Sequence, residues 1–372
     1  MEGEAIAERI TSRVEAVGSM LRSERLRAAR DAHAAGTISP AEFKRVEDAE
    51  VDRAVAIQEA AGLDVVTDGE FRRGHFTGSL SEAVSGLGDV PAAGHDWHGE
   101  DDMQYAHQRA ITGKLRRSRS LAQEEFVYLR ARTGKPVKIT LPSPLMMQTF
   151  WSDEHSTGAY ADPFEMFADA AVLVREEIEA LAALGCRYVQ IDAPELATLV
   201  DDSVRAASAR RGIDPERMLT EGIEILDTVT GVPGVRYGIH LCRGNRDGHW
   251  QAEGGYERIA EQLFAHVDGF DAFFLEYDDD RSGGFEPLAG LPDDKLVVLG
   301  LISTKRPELE DAEQLVARVH EAAEHHPFDA LGISPQCGFE SAIGNYPLDE
   351  AQQEAKLRLA VQVARRLWGE PA

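Results

Sequence analysis

The amino-acid sequence predicts a (β/α)8 TIM barrel, an α/β fold, on three observations. Eight short apolar segments read as strands, and most are separated by helical stretches. The segments hold few interior charges, which suits parallel strands covered on both faces. Nearly every segment ends on a polar or metal-competent side chain, and the C-terminal rim of such a barrel is where its chemistry collects. Strand–helix alternation predicts the parallel sheet, and the count of eight predicts closure. An open doubly wound sheet is the alternative. The whole chain, 1–372, reads as a single barrel domain with an elaborated loop after the second strand, an insertion of about 72–131.

The first strand is residues 14–19, ending on Gly18-Ser19. Pro40 then opens a helix to about Ala61, because Thr37-Ile38-Ser39 carries a capping signal and Gly62 a stop. Leu63–Asp68 is the second strand, followed by Gly69-Glu70. From Arg72 to about Glu100 glycine is frequent and periodicity is lost, so a surface loop is expected, with helical character returning over 102–131. Val137–Ser143 is the third strand and Phe164–Ala183 an amphipathic helix. Tyr188–Asp192 is the fourth strand, and 201–230 is helical with a new start at Asp214-Pro215. Val235–Cys242, Ala272–Tyr277, Leu296–Ser303 and Leu331–Cys337 complete the eight. Helices are expected at 254–267, 308–323 and 349–368. No nucleotide-binding glycine fingerprint or low-complexity segment interrupts this order.

The net charge is −26 in 372 residues, with 43% hydrophobic content. Such a surface repels phosphate backbones and argues against nucleic acid as a partner; a solvated acidic exterior explains it. Three cysteines make no disulfide framework, and the odd count suits a reducing compartment. The N-terminal residues carry no basic region before an apolar stretch, and no apolar run approaches about 18 residues. A cytoplasmic protein without membrane contact is expected.

The strand ends, taken in turn, are Ser19, Glu70, Ser143, Asp192, His240 with Cys242, Glu276, Ser303 with Lys305, and Cys337. In a strand, residues i and i+2 share a face, so His240 and Cys242 project together. With Glu276 and Cys337 they form a nitrogen, sulfur and oxygen set that suits zinc (Zn2+) better than magnesium or calcium. A buried histidine beside an inert thiol, a rim carboxylate at Glu276, and a Cys242–Cys337 disulfide are the competing readings. Cys186 precedes its strand and reads as a small core residue. Glu70 and Asp192 would face the same cavity and could hold an ammonium group or move a proton, or else cap helices and pair with arginines. Ser19 could donate to a substrate carboxylate. Lys305 is a candidate acid or anion-binding residue, or an exposed rim lysine. Arg72 and Arg73 could grip an anion, or form surface ion pairs.

At these residues the chain resembles the C-terminal catalytic barrel of cobalamin-independent methionine synthase. The shared motifs are Val17-Gly18-Ser19, Asp68-Gly69-Glu70-Phe71-Arg72-Arg73, Gln190-Ile191-Asp192-Ala193-Pro194, His240-Leu241-Cys242, Phe274-Leu275-Glu276 and Pro335-Gln336-Cys337-Gly338-Phe339. The resemblance implies a zinc site at His240, Cys242, Glu276 and Cys337, and a pocket where Ser19, Glu70 and Asp192 hold the amino-acid part of homocysteine. It also implies a substrate-binding tryptophan after the third strand, matched by Trp151. Departures are visible. The family's N-terminal barrel is absent, its Asp-Glu-Pro is Asp192-Ala193-Pro194, and its Asp-Ile-His is Ser303-Thr304-Lys305. The chain is similar to short, single-barrel paralogues.

The expected activity is transfer of an alkyl group, methyl first, to a thiol that zinc activates, as in methionine biosynthesis. A free thiol, with a pKa of about 8.5, is mostly protonated at neutral pH, and a metal removes that proton. The resemblance leaves methylfolate, a methylcorrinoid or an epoxide as the alkyl donor, the last as in epoxyalkane:coenzyme M transferase. A homo-oligomer is compatible with all of these. The readings of other classes are a small-molecule-binding barrel with a structural zinc, and a metal-free decarboxylase.

Overall fold

A computed structural model of the chain describes residues 12–99, 102–266 and 268–370. Among the described residues there are two sheets. An antiparallel pair joins β1 (Val84–Trp97) and β2 (Met103–Arg117). The second sheet is parallel and runs in sequence order: β3 (Ile139–Pro142), β4 (Tyr188–Asp192), β5 (Arg236–Leu241), β6 (Ala272–Glu276), β7 (Leu296–Ile302) and β8 (Leu331–Pro335). The six agree with the third to eighth expected strands.

The first two expected strands are reduced to single parallel bridges. Val14 pairs with Ile333 of β8, Glu15 with Val65, and Val66 with Val137 just before β3. Backbone hydrogen bonds accompany them, from Ile333 to Arg13, Asp64 to Val14, and Lys138 to Val66. Turns at Gly18 and Gly69 follow almost at once, which leaves no room for a longer ladder.

Three expected helices form where their caps predict, while those expected at 254–267 and 308–323 are shorter, Ala260–His266 and Ala312–Ala322, and 201–230 is broken after Arg210. Pro40–Ala61 starts on a reciprocal Ser39–Glu42 capping box and ends on Gly62 in the left-handed conformation. Pro163–Ala183 is capped by Asp162, and Glu350–Trp368 by an Asp349–Gln352 box. Among the described residues, no helix is long and apolar enough to cross a membrane.

The insertion departs from expectation. In place of a loop and then a helix, 84–97 and 103–117 pair as a long two-stranded ribbon, and the helix is confined to Gln123–Arg130. In the ribbon's outer part the side chains of 88–91, 96–97, 103–104 and 108–109 are exposed or half-buried, and they lack the apolar alternation that marks a half-buried strand. Gly86 and Gly88, with register shifts between Ser85 and Leu87 and between Asp89 and Ala93, break what pattern remains.

The pleat of the parallel sheet sorts its side chains. Val189, Ile191, Tyr237, Ile239, Leu241, Phe273, Leu275, Val297 and Leu299 belong to the main core. Their neighbours turn the other way, where Val17, Val65, Tyr188, Ala272, Phe274 and Val298 make a separate small cluster. Beside that cluster Lys138 is fully buried, with Nζ 2.7 Å from Glu15 Oε2, 2.8 Å from the Ala16 carbonyl, and 4.2 Å from the Phe274 ring centre. The pair ties the 14–16 segment to the start of β3.

Lys138→Met would leave Glu15 charged and unpaired in the interior. A loss of about 3–5 kcal/mol in urea unfolding is expected. The double variant Glu15→Leu with Lys138→Met should recover most of it.

Candidate active site

The alternation that buries Ile239 and Leu241 in the main core turns His240, and Cys242 just beyond the strand, to the opposite side. Register places Asp192 of β4 directly beside His240, and Gln190 and Asp192 share that face. Cys337 lies two residues past β8. The donor atoms of His240, Cys242 and Cys337 all lie within 4.8 Å of one another, and all three residues are buried.

These donors fit a soft, tetrahedral metal. The two sulfurs are 3.7 Å apart, close to the roughly 3.8 Å edge that Zn–S bonds of about 2.3 Å imply for a tetrahedron. That separation also shows no disulfide, and all three cysteines are free. Neither ring nitrogen of His240 has a hydrogen-bond partner among the described residues, an unusual state for a buried imidazole. The Cys242 thiol holds Cys337 well below the ordinary thiol range, with the His240 ring adding to the effect. Cys242 is pushed up by the same contact. A cation bound here would compete with the proton for these sulfurs.

Glu276 stands outside this group. It is fully buried, with Oε1 2.7 Å from Lys305 Nζ and Oε2 accepting from the Arg243 backbone N–H at 2.6 Å. Lys305, the candidate acid or anion-binding residue, is not the exposed rim lysine of the alternative reading: its ammonium is drawn inward onto Glu276, with Asp278 at 3.8 Å, and it is absent from the cavity lining. The Lys305 and Arg243 contacts, Lys305 foremost, hold the Glu276 carboxyl below its usual range in spite of burial.

A cavity of about 230 Å³ opens over the cysteines and His240, and Ser19, Glu70 and Asp192 line it with them. Glu70 sits in the left-handed region at φ 59° after Gly69, a turn held by its N–H donating to Asp68 Oδ1. Its Oε1 accepts from Thr140 Oγ1 at 2.6 Å, while Oε2 is buried without a partner among the described residues. Two glycines make the crowding tolerable. A Cβ on Gly18 would come 2.5 Å from Glu70 Oε1, and one on Gly338 would come 2.0 Å from Ser19 Oγ. Asp192 Oδ1 accepts from Gln190 Nε2. Burial raises the Asp192 carboxyl to about 7, the His240 ring opposing and Glu70 adding to the shift.

Three other expected residues fall elsewhere. Trp151 is buried away from the cavity, its indole N–H donating to Asp153. Its neighbour Phe150 takes the wall position instead. Arg72 pairs with Asp48, and Arg73 with Glu125 and the Thr140 carbonyl, so both serve the scaffold. Cys186 is buried ahead of β4, and burial pushes its thiol up to about 11.

Several wall residues had no signal in the sequence. Trp97 comes from the ribbon, whose end is tied to the loop after β5 by paired backbone hydrogen bonds between His98 and Trp250. Asn245 and Gln251 come from that loop, and Ser341 from the loop after β8. Asn245 Nδ2 donates to Thr304 Oγ1 and to the Gly338 carbonyl, joining three loops. Each depends on how loops close, which no local pattern encodes.

Glu195, just after Asp192, is a buried carboxyl with neither oxygen hydrogen-bonded among the described residues. Burial raises it from 4.5 to about 8. The folded chain therefore keeps a proton there that the unfolded chain loses, and stability is full below about 4.5 and falls as pH rises through about 8. Glu195→Gln should match the parent at pH 4 and exceed it by roughly 2–4 kcal/mol at pH 9. Urea unfolding across that range checks it, and parallel curves would refute it.

The profile described as the catalytic domain of cobalamin-independent synthase matches residues 12–366. An uncharacterized Bacillus subtilis protein, YxjH, is 38% identical over 96% of this chain and 94% of its own length. The 5-methyltetrahydropteroyltriglutamate–homocysteine methyltransferase of Rhodococcus jostii is 26% identical over 95% of this chain, which spans only 43% of that enzyme. A solved Listeria monocytogenes structure, described as a vitamin-B12-independent methionine synthase, superposes with a TM-score of 0.70 at 29% identity, covering 96% of this chain and 98% of that one. The chain belongs to the cobalamin-independent synthase catalytic-domain family.

Proposed function

We propose that the chain is a methyltransferase that moves a methyl group from a methylfolate-type donor to the sulfur of a small amino thiol of the homocysteine class. The observation that carries this is the convergence of His240, Cys242 and Cys337 beneath a cavity rimmed by two buried carboxylates. The scaffold that goes with it is a closed (β/α)8 barrel over the whole chain, the bridges at 14, 15 and 66 completing the ring of β3 to β8. The ribbon is then an insertion in that single domain.

His240, Cys242 and Cys337 would hold zinc, which suits mixed imidazole and thiolate donors. Bound there, it supplies the Lewis acidity that removes a proton from a substrate thiol at neutral pH. Glu70 and Asp192 bind and orient the substrate ammonium; Glu70 Oε2 is a buried acceptor with its hydrogen-bonding capacity unspent. Ser19 offers its hydroxyl to the substrate carboxylate. The acceptor sulfur attacks the methyl carbon; the C–S bond forms as the bond to the donor nitrogen breaks, and that nitrogen keeps the electron pair and takes up a proton. Trp97, Phe150 and Met146 give the cavity an apolar wall for the donor and exclude water from the reacting atoms.

The acidic rim disfavours a sulfonated acceptor such as coenzyme M, because two carboxylates would repel it. A structural metal is disfavoured because closed sites take four protein ligands away from substrate, whereas three donors meet here at a cavity. The family match to cobalamin-independent enzymes gives a methylcorrinoid donor no support.

Zinc-loaded protein, assayed with homocysteine and a methylfolate, should release methionine detectable by mass spectrometry. Cys337→Ser should lower zinc affinity and turnover by at least about 100-fold; unchanged turnover would remove the metal from the reaction. Glu70→Gln tests the ammonium assignment. It should weaken kcat/KM for homocysteine by roughly 10- to 100-fold, as for a lost charged hydrogen bond. The same variant should leave 4-mercaptobutyrate, which lacks the amino group, nearly unaffected.

A further inference from the structure

We propose that Thr140 is a positioning residue that gives the cavity its preference for an amino group. Its hydroxyl, steered by Arg73, occupies one oxygen of Glu70 and leaves the other to a ligand's ammonium. This rests on the ammonium site proposed above.

The neighbours of the Thr140 hydroxyl decide where its proton lies. Arg73 Nη1 is 3.2 Å from Oγ1, and Glu70 Oε1 is 2.6 Å from it. A guanidinium only donates, and an ionised carboxylate only accepts. The hydroxyl therefore accepts from Arg73 and donates to Glu70, at a length typical of a bond to a charged oxygen. Its methyl group lies toward Gly18, where an added Cβ would come 3.3 Å from Thr140 Cγ2 and 2.5 Å from Glu70 Oε1. A branched side chain has few χ1 choices, so this packing holds the hydroxyl on Glu70.

Arg73 is fixed in turn. Its Nη2 donates to the Thr140 carbonyl at 2.7 Å, and its Nε to Glu125 at 3.0 Å. The guanidinium stays 3.8 Å from Glu70 Oε1, and the Thr140 hydroxyl spans that gap. Arg22 secures the backbone of the turn, with Nη2 3.1 Å from the Glu70 carbonyl and 2.8 Å from that of Arg73. Oε2 alone is left, buried and without a partner among the described residues. Without the hydroxyl, Oε1 would turn toward Arg73 and carry Oε2 off its line to the ligand.

The neighbouring strand repeats the device. Thr140 pairs with Gln190 of β4, and Gln190 Nε2 holds Asp192 Oδ1 at 2.6 Å. Thr140 and Gln190 are buried and outside the cavity lining, and each engages one oxygen of a carboxylate within it.

The test is calorimetric binding of homocysteine and 4-mercaptobutyrate to zinc-loaded, full-length protein and its Thr140→Val, Thr140→Ser and Glu70→Gln variants. Valine keeps the shape of threonine and deletes the hydrogen bond, whereas serine keeps the bond. The parent should prefer homocysteine, and Glu70→Gln should erase most of that preference. Thr140→Val should cut the ratio of the two affinities by about tenfold, the low end for a hydrogen bond to a charged group. Thr140→Ser should retain most of the ratio. In turnover the loss should fall on KM for homocysteine, with kcat little changed, as for lost ground-state binding. A purely structural role would weaken both thiols alike. An unchanged ratio in folded Thr140→Val overturns the proposal, as does a Thr140→Ser ratio that falls as far. If thermal melting shows Thr140→Val unfolded, Thr140→Ala decides in its place by the same ratio. A parent that binds neither thiol or both equally, or a Glu70→Gln variant that keeps the preference, would instead overturn the ammonium reading, and this inference with it.

Discussion

The site depends on the two-residue period of a parallel strand held between two apolar layers. Tyr237, Ile239 and Leu241 are committed to the main core, so β5 cannot slip by one residue without exposing all three and burying His240 among them. The same constraint acts on β4, where Val189 and Ile191 aim Asp192, and on β6, where Phe273 and Leu275 aim Glu276. Packing energy spent on the outer face therefore fixes polar side chains on the inner face, at positions that no contact among themselves would secure.

Electrostatics then divides those inward groups into two sets. Glu276 meets Lys305 and the Arg243 N–H, so its charge is settled inside the protein. Glu70 and Asp192 face the cavity, and neither is neutralised as closely: Arg73 lies 3.8 Å from Glu70, but its shorter contacts go to Glu125. Burial and the Glu70 charge push Asp192 up against the opposing pull of His240. On the proposed reading, a cavity with such carboxylates beside soft donors would select a ligand that brings both a cation and a thiol.

Much of this was legible in the sequence because strands and caps are local. The boundaries of β4 and of the helix Pro40–Ala61 follow from residue order alone, as do the inward positions of His240, Cys242, Glu70 and Asp192. What the sequence misread lies on loops or in long side chains. Phe150 takes the place expected of Trp151 because a turn of 3-10 helix at Pro144–Phe150 sends Phe150, not its neighbour, to the cavity. Lys305 has a reach of several ångströms, and whether it points to solvent or to Glu276 depends on carboxylates 27 and 29 positions earlier in the chain, at Asp278 and Glu276. The ribbon escapes the sequence pattern because only its inner residues, such as Val84, Ile111 and Leu115, are buried, which leaves no sustained alternation.

Floor and wall therefore obey different rules. The floor is made by strand ends whose register is enforced by the core, and its residues match the family motifs. The wall is made by the ribbon, the loop after β5 and the loop after β8, which meet through His98–Trp250 and Asn245–Gly338. Those contacts are few and mostly polar, so the wall can be rebuilt without disturbing the donors beneath it. On the proposed reading, chemistry at sulfur would rest on the strand ends, and the shape offered to a methyl donor on the ribbon and the two loops, with Trp97 in that wall.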